Sequence, residues 1–208
     1  MEDDFILEID NVLPPELCKT IIDKFENDDK FQIDGNLGGT SNLFVNKQWK
    51  DSKELCINQT PGWEQINQTI RPYFLSAISK YIEHVKNICR KVGIEEDGDL
   101  DFVCDHTFPP LIVQDHMIQK IPKDRHYRWH QDYEASEYRM FTTFIYLNTI
   151  GTNEGGKTDF VSGRSVQPIE GKMVIFPSTW TQIHTGRLVK ADAKYILVTN
   201  VSRNWQPK

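Results

Sequence analysis

The sequence predicts a mainly β domain with flanking helices, an α+β architecture in which short strands build a sandwich or jelly roll. Apolar residues recur at helical spacing up to about residue 101 and at a period of two from Phe102 onward. Gly, Pro and Asn bound several of the β-branched and aromatic segments. No internal repeat or long Pro/Gly/Ser linker divides the chain, so residues 1–208 are expected to form one domain.

The first part of the chain, residues 1–101, is expected to supply mostly helical support. Residues 5–9 alternate apolar and polar side chains as a strand does, and the prolines at 14 and 15 open a helix that continues to Asn27. The stretch 34–47 is rich in Gly, Asn and Ser, which is typical of a loop. A longer apolar stripe predicts a helix over residues 63–92, which Pro72 should kink or split.

The second part, residues 102–208, is expected to form the β core. Its β-branched and aromatic segments predict strands at Phe102–Cys104, Leu111–Ile121, Met140–Asn148, Lys172–Phe176 and Lys194–Val201. Short strands at this density, joined by turns, favour a sandwich or jelly roll, with the helices packed on the outside of one sheet.

Composition excludes several classes of protein. The chain is 26% charged with a formal net charge of −6, which makes it a poor candidate for wrapping nucleic acid. Its start lacks the basic and apolar regions of a signal peptide, and no apolar run approaches the roughly 18 residues of a membrane span. We therefore expect a soluble, cytoplasmic protein, monomeric or homodimeric, with no membrane or nucleic-acid partner.

The four cysteines are widely separated, which favours free thiols over disulfides or a zinc site.

Two histidines and one aspartate stand out as candidate metal ligands. Asp132 follows His130 by two residues, and residues two apart on a strand point to the same side. That pair alone is weak evidence, because about half an H-x-D match is expected by chance in this composition. His184 lies 54 residues after His130, just past an apolar strand. Two imidazoles and one carboxylate form the facial triad that binds Fe(II) and leaves coordination positions open.

Lys194 opens one of the most apolar strands of the sequence, ten residues after His184. Such a lysine can extend its ammonium outward to solvent, which for a lone lysine is the more common arrangement. It can instead point inward, where an unpaired ammonium is costly and therefore implies an anionic ligand.

The chemistry-bearing residues stand in the order of one family pattern. They are His130-Gln-Asp132, Tyr146-Leu-Asn148, Glu154-Gly-Gly-Lys-Thr158, Pro168, Gly171, Phe176-Pro177, His184 and Lys194. Over about residues 117–202 the chain resembles the catalytic domain of the prolyl 4-hydroxylase-like Fe(II)/2-oxoglutarate-dependent dioxygenases, and Leu13 to Cys18 resembles that family's opening segment. The resemblance implies a double-stranded β-helix (jelly roll) core.

The same resemblance implies the ligands and the reaction. His130, Asp132 and His184 would bind Fe(II), while Lys194 and Thr158 would hold the distal carboxylate of 2-oxoglutarate, the co-substrate. O₂ would be the second co-substrate and ascorbate the reductant. Tyr127 matches an aromatic residue at the edge of the site, either as a contact of the cofactor or as a wall residue packed beside the metal. The carboxylate of Asp132 favours hydroxylation over halogenation.

The chain departs from the family pattern at positions that bear on the substrate. Ile121 stands where many prolyl hydroxylases carry a tyrosine that binds the co-substrate, although Gln119 could supply some polar contact. The Arg-x-Ser segment of peptide-binding members is absent, and residues 38–42 occupy that stretch. The expected reaction is hydroxylation of an unactivated C–H bond, of a peptidyl proline or of a free amino acid or small metabolite. The loop 34–47 and residues 133–138 should form the mouth that decides between them.

Two alternatives to an oxygenase remain. A non-catalytic jelly roll that binds a metal or ligand would need neither Lys194 nor Thr158. A zinc hydrolase would need a glutamate base beside the triad, and none is evident. Among neighbouring residues, Trp129 and Trp180 are expected to exclude water from the site, and Arg139 is expected at the surface.

Overall fold

The apolar stripes of the first half form helices in the computed structural model, which describes residues 5–37, 43–96 and 98–204. The described residues contain the α-helices α1 (Pro15–Asn27), α2 (Glu64–Lys91) and α3 (Leu100–Thr107). Proline is tolerated at the start of α1 because the first helical N–H groups have no partner within the helix. Pro72 lies inside α2 without ending it, so the helix is not split.

Helix α3 corrects the strand predicted at Phe102–Cys104. In a strand the side chains of Phe102 and Cys104 would point to the same face. Cys104 is instead buried together with Leu100, while Phe102 is 65% exposed. Residues four apart share one face of a helix, so the spacing of Leu100 and Cys104 is what buries this segment.

Most of the strands among the described residues are short: β1 (Leu7–Ile9), β2 (Ile33–Asp34), β3 (Asn36–Leu37), β4 (Phe44–Val45), β5 (Lys53–Cys56), β6 (Leu111–Val113), β7 (Met117–Pro122), β8 (Tyr127–His130), β9 (Arg139–Tyr146), β10 (Thr158–Phe160), β11 (Ser165–Val166), β12 (Met173–Pro177), β13 (His184–Gly186) and β14 (Ala193–Arg203). The larger sheet has the order β1-β12-β9-β14-β7-β5-β2, and β6 also pairs with β14. The smaller sheet has the order β11-β10-β13-β8, while β3 and β4 form a separate two-stranded hairpin.

Alternating side chains of the larger sheet build a core on each of its faces. On β9 and β12, Ile145 and Ile175 join the cluster that packs against α1 and α2. Their neighbours Phe144 and Phe176 join the second cluster, which includes Phe160 of the smaller sheet. The molecule is therefore layered as helices, larger sheet and smaller sheet, and the antiparallel sheets have the jelly-roll fold.

Apart from Phe102–Cys104, the predicted strands are present in the structure, and the polar strands are the ones that were not predicted. Strands β9, β12 and β14 confirm three predicted segments, β1 confirms the strand expected in residues 5–9, and the segment Leu111–Ile121 divides into β6 and β7. The smaller sheet was not predicted, because its strands are only two to four residues long and carry no apolar period. Residues 38–42 lie outside the described residues.

The structure also bears on the cysteines and on membrane-spanning helices. All four cysteines are free thiols, as predicted, and Cys18 and Cys104 are buried. Among the described residues, no helix combines the length and the hydrophobicity that crossing a bilayer requires.

Candidate active site

His130 and His184 meet across the smaller sheet. His130 ends β8, His184 begins β13, and the antiparallel register places the two residues directly opposite each other. Opposite residues of an antiparallel pair lie within side-chain contact, and the two imidazole centroids are 4.2 Å apart. The strand pairing thus joins two residues that the sequence separates by 54 positions.

Both imidazoles are oriented by a backbone carbonyl. The Nδ1 atom of His130 lies 2.7 Å from the Arg128 carbonyl, and that of His184 lies 3.0 Å from the Gln182 carbonyl. A neutral imidazole that donates from Nδ1 keeps a lone pair on Nε2, which is how histidine ligands of metals are commonly held. The Nε2 atoms of both rings face the Asp132 carboxylate, at 3.5 and 3.6 Å.

The sequence suggested that His130 and Asp132 share one strand. Asp132 instead lies two residues past the end of β8. Its backbone N–H donates to the Ser178 carbonyl at 3.2 Å, which keeps the segment next to β12. Burial alone would raise the pKa of Asp132, but His184, His130 and the Thr142 hydroxyl hold that pKa below its usual range. One ligand atom from each of His130, Asp132 and His184 lies within 4.8 Å of the others, which suits a single metal ion.

Lys194 points inward, so its side chain does not extend to solvent. It is 3% exposed, and it shares the inner face of β14 with Ile196 and Val198. Its ammonium donates to the Gly156 carbonyl at 2.8 Å. Among the described residues no carboxylate lies within ion-pair distance of it, and burial lowers the pKa of Lys194 to about 8. A bound anion would stabilise an ammonium buried in this way.

Thr158 is buried on β10 and lines the same cavity. Its hydroxyl accepts a 2.7 Å hydrogen bond from the Tyr146 hydroxyl on β9. That bond uses the phenolic proton and leaves the threonine O–H free to turn toward a ligand. Tyr146 belongs to the family pattern in the sequence, but its hydrogen bond to Thr158 was not predicted.

Tyr127 packs against a metal-ligand candidate, which is the wall arrangement considered for it. Its ring stacks on His130 with centroids 3.5 Å apart and an interplanar angle of 12°. Burial, with smaller contributions from Asp132 and Glu54, raises the pKa of Tyr127. The ammonium of Lys50 lies 4.9 Å from the centre of the same ring.

These groups line one cavity of about 810 Å³. Gln119 and Ile121, the two positions weighed for the missing tyrosine, both belong to its wall. Arg139 was expected at the surface, but it also belongs to the cavity wall. Its guanidinium donates to the Asp132 carbonyl at 3.0 Å. The tryptophans expected to exclude water are exposed instead, Trp129 by 43% and Trp180 by 73%.

A comparison with known protein families matches residues 116–202 to the 2OG-Fe(II) oxygenase superfamily. The matched segment contains every residue assigned to the candidate site from the sequence: Tyr127, His130, Asp132, Thr158, His184 and Lys194. No curated protein sequence matches the chain.

Solved structures with the same fold include prolyl hydroxylases. A viral collagen prolyl hydroxylase from Paramecium Bursaria Chlorella virus-1, solved with 2OG, is 14% identical with a TM-score of 0.57, over 97% of both chains. A Pseudomonas putida prolyl-4-hydroxylase is 16% identical with a TM-score of 0.62, over 95% of this chain and 92% of its own. A Trichoplax adhaerens prolyl hydroxylase, solved with a peptide fragment of the hypoxia inducible factor oxygen degradation domain, is 16% identical with a TM-score of 0.67, over 96% and 84%. At this identity the likeness concerns the fold.

Proposed function

We propose, from the match of residues 116–202 to the 2OG-Fe(II) oxygenase superfamily and from a fold shared with prolyl hydroxylases, that this chain is a 2-oxoglutarate-dependent dioxygenase that hydroxylates an unactivated C–H bond of a peptide. Succinate and CO₂ are released with the product. One observation carries the assignment of the site: a buried ammonium without a carboxylate partner, that of Lys194, lines the same cavity as a cluster of two imidazoles and one carboxylate.

His130, Asp132 and His184 fit Fe(II) by the chemistry of their donor atoms. Two Nε2 atoms and one carboxylate converge, and the Nδ1 atoms that could compete are already bonded to carbonyls. Three protein ligands leave open positions on an octahedral ion. When bound there, Fe(II) supplies the activation of O₂ that is coupled to oxidative decarboxylation of 2-oxoglutarate, with ascorbate as the reductant that keeps the iron ferrous.

Two buried lysines, Lys50 and Lys194, line the cavity, and their partners favour one of them as the position for 2-oxoglutarate. Lys50 is 6% exposed, and its ammonium pairs with the Glu54 carboxylate at 2.5 Å. Within the described part of the chain, the ammonium of Lys194 has the Gly156 carbonyl as its hydrogen-bond partner and no carboxylate. A dicarboxylate gains most where a buried positive charge is not neutralised. We therefore assign its distal carboxylate to Lys194, with the Thr158 hydroxyl as a second donor and Tyr127 at the edge of the site.

A peptide substrate is supported by the apolar part of the cavity wall. Ile33, Leu37 and Leu43, on or beside strands β2, β3 and β4, line the cavity. The half-exposed aromatic side chain of Tyr133 also lines it. A volume of about 810 Å³ accommodates a side chain together with 2-oxoglutarate and leaves room for flanking residues. The peptide-bound Trichoplax enzyme has the same fold.

The decisive experiment measures succinate formation with Fe(II), ascorbate and 2-oxoglutarate. A panel of proline-containing peptides is compared with the same peptides carrying alanine in place of proline, and with free amino acids. We expect stimulation by peptides, and stimulation lost in the alanine series identifies proline as the target. Stimulation by free amino acids alone would reject the peptide assignment.

The same assay separates the enzyme from a binding module. Lys194→Met should lose 2-oxoglutarate turnover, while Lys53→Met, on strand β5 and 48% exposed at its side chain, should retain it. If the wild-type protein binds the metal yet forms no succinate with any member of the panel, catalysis is not its function.

A further inference from the structure

A buried ion pair in the cavity wall has no role in the reaction as assigned so far. Lys50 and Glu54 are 6% and 3% exposed, and their charged atoms are 2.5 Å apart. The Ser52 hydroxyl donates to the same Glu54 oxygen at 3.0 Å. Removing two charges from water costs about as much as their attraction returns, so a buried pair adds little stability over apolar residues of the same size. Stability therefore does not account for this pair.

The backbone closes tightly over the pair. A Cβ atom at Gly35 would lie 2.2 Å from the Ser52 hydroxyl oxygen and 3.1 Å from the Glu54 carboxylate, so only glycine allows this approach. The Lys50 ammonium also donates to the Asn36 carbonyl at 3.3 Å. These contacts fix the ammonium in one position.

That position is beside the ring of Tyr127. The ammonium lies 4.9 Å from the ring centre, and Lys50 also forms a backbone bridge with Tyr127. The ring in turn stacks on the His130 imidazole at 3.5 Å. The carbonyl bond at Nδ1 restrains the imidazole at one edge only. Contact with the Tyr127 ring restrains its face, so the two contacts together fix the direction of Nε2.

We propose that the Lys50–Glu54 ion pair is a positioning pair that holds the Tyr127 ring against His130 and thereby fixes the orientation of that imidazole toward the metal. The inference rests on the proposed assignment of His130 to Fe(II). Neither charge is required to touch the metal or the substrate. Glu54 fixes Lys50, Lys50 fixes the aromatic ring by a cation–π contact, and the ring fixes the ligand.

The test measures metal binding and does not require turnover. Mn(II) affinity is determined by calorimetry, and the charge-transfer absorption of the anaerobic Fe(II)–2-oxoglutarate complex reports the geometry at the metal. Lys50→Met combined with Glu54→Gln leaves no unpaired charge in the wall. We expect this double variant to fold and to bind Mn(II) about 10- to 100-fold more weakly, the usual effect of losing a residue that orients a ligand.

Three further variants separate positioning from a structural role. Lys50→Arg keeps a cation over the ring and should restore most of the affinity and the absorption band. Tyr127→Leu leaves the ion pair intact and should reproduce the loss, and Lys50→Met should add little in the Tyr127→Leu background. Lys53→Met removes a lysine three residues along the chain that pairs with Asp34 and not with Glu54, and it should leave both readouts unchanged.

The possible results distinguish a failure of the positioning role from a failure of the proposed function. Wild-type affinity and an unchanged band in the Lys50/Glu54 double variant would overturn the positioning role. If that variant does not fold by circular dichroism, the decision falls to Tyr127→Leu, whose wild-type affinity for Mn(II) would overturn it equally. A wild-type protein that shows no 2-oxoglutarate-dependent band would instead refute the proposed function itself.

Discussion

Replacing Lys194 by methionine should stabilise the ligand-free protein and abolish its stabilisation by 2-oxoglutarate. The ammonium is 3% exposed and has one carbonyl partner, so the folded protein holds a poorly compensated charge. Methionine has a similar length and fills the same space without that charge. The two effects have opposite signs, which distinguishes a ligand-binding lysine from one that supports the fold.

The magnitude follows from the lowered pKa. Burial brings the pKa of Lys194 from 10.5 to about 8, and at 1.36 kcal/mol per pH unit this difference amounts to roughly 3 kcal/mol. Because the folded pKa is the lower one, the cost is complete below pH 8 and is relieved as the pH rises toward 10.5. The Gly156 carbonyl loses its donor in the variant, which costs about 1–3 kcal/mol. A net gain of up to roughly 2 kcal/mol remains, or several degrees in Tm for a domain of this size.

The assay is thermal unfolding at pH 7 with Mn(II), with and without 2-oxoglutarate. At a ligand concentration of about 100 times Kd, the wild-type protein should gain about 2.7 kcal/mol. Lys194→Met should show no gain, and the exposed control Lys53→Met should respond as the wild type does. A variant that loses several degrees without ligand, or that keeps the full response to 2-oxoglutarate, would refute the reasoning.

Four other outcomes are expected. The affinity of the wild type for 2-oxoglutarate should fall as the pH rises above about 8, where the free Lys194 ammonium deprotonates, and a titration that stays flat to pH 9 would contradict this. Asp132→Ala should abolish succinate formation and weaken Mn(II) binding, so unchanged turnover would reject the triad. Tyr146→Phe removes the hydrogen bond to Thr158, worth about 1 kcal/mol, and should raise the KM for 2-oxoglutarate about fivefold with little change in metal affinity. Burial, assisted by Arg71, lowers the pKa of His116 to about 4. Because the folded pKa lies below the ordinary 6.5, the free energy of unfolding should decrease as the pH falls from 6.5 toward 4. Urea unfolding of His116→Phe should show a smaller decrease over that range.

The sequence predicted which side chains lie together in the candidate site better than it predicted the local structure around them. His130, Asp132, His184 and Lys194 stood out because the proposed metal and carboxylate binding needs particular side chains in a particular order along the chain. The strands that carry the two histidines were not predicted, since β8 and β13 contain only four and three residues. Segments this short carry too little local preference to identify themselves as strands, and their pairing partners stabilise them.

Two positions show where local patterns mislead. Phe102–Cys104 satisfied a period of two, but burial of Leu100 and Cys104 on one side favoured a helix. Arg139 was assigned to the surface as most arginines are, yet a hydrogen bond to the Asp132 carbonyl and an ion pair with Glu137 hold it in the cavity wall. A period of two over three residues does not distinguish a strand from a helix, and the direction of an arginine side chain depends on which acceptors the folded chain offers it.

By itself the sequence determined the fold class, the three donor groups and the presence of one lysine suited to an anion. Only the tertiary structure decided that His184 lies opposite His130 and that Lys194 points inward. It also decided that Glu54 neutralises Lys50, while no carboxylate of a described residue pairs with Lys194. The physical reason is that composition and period report how each segment meets water. The charge state and orientation of a buried group depend instead on partners that strand register brings from distant parts of the chain.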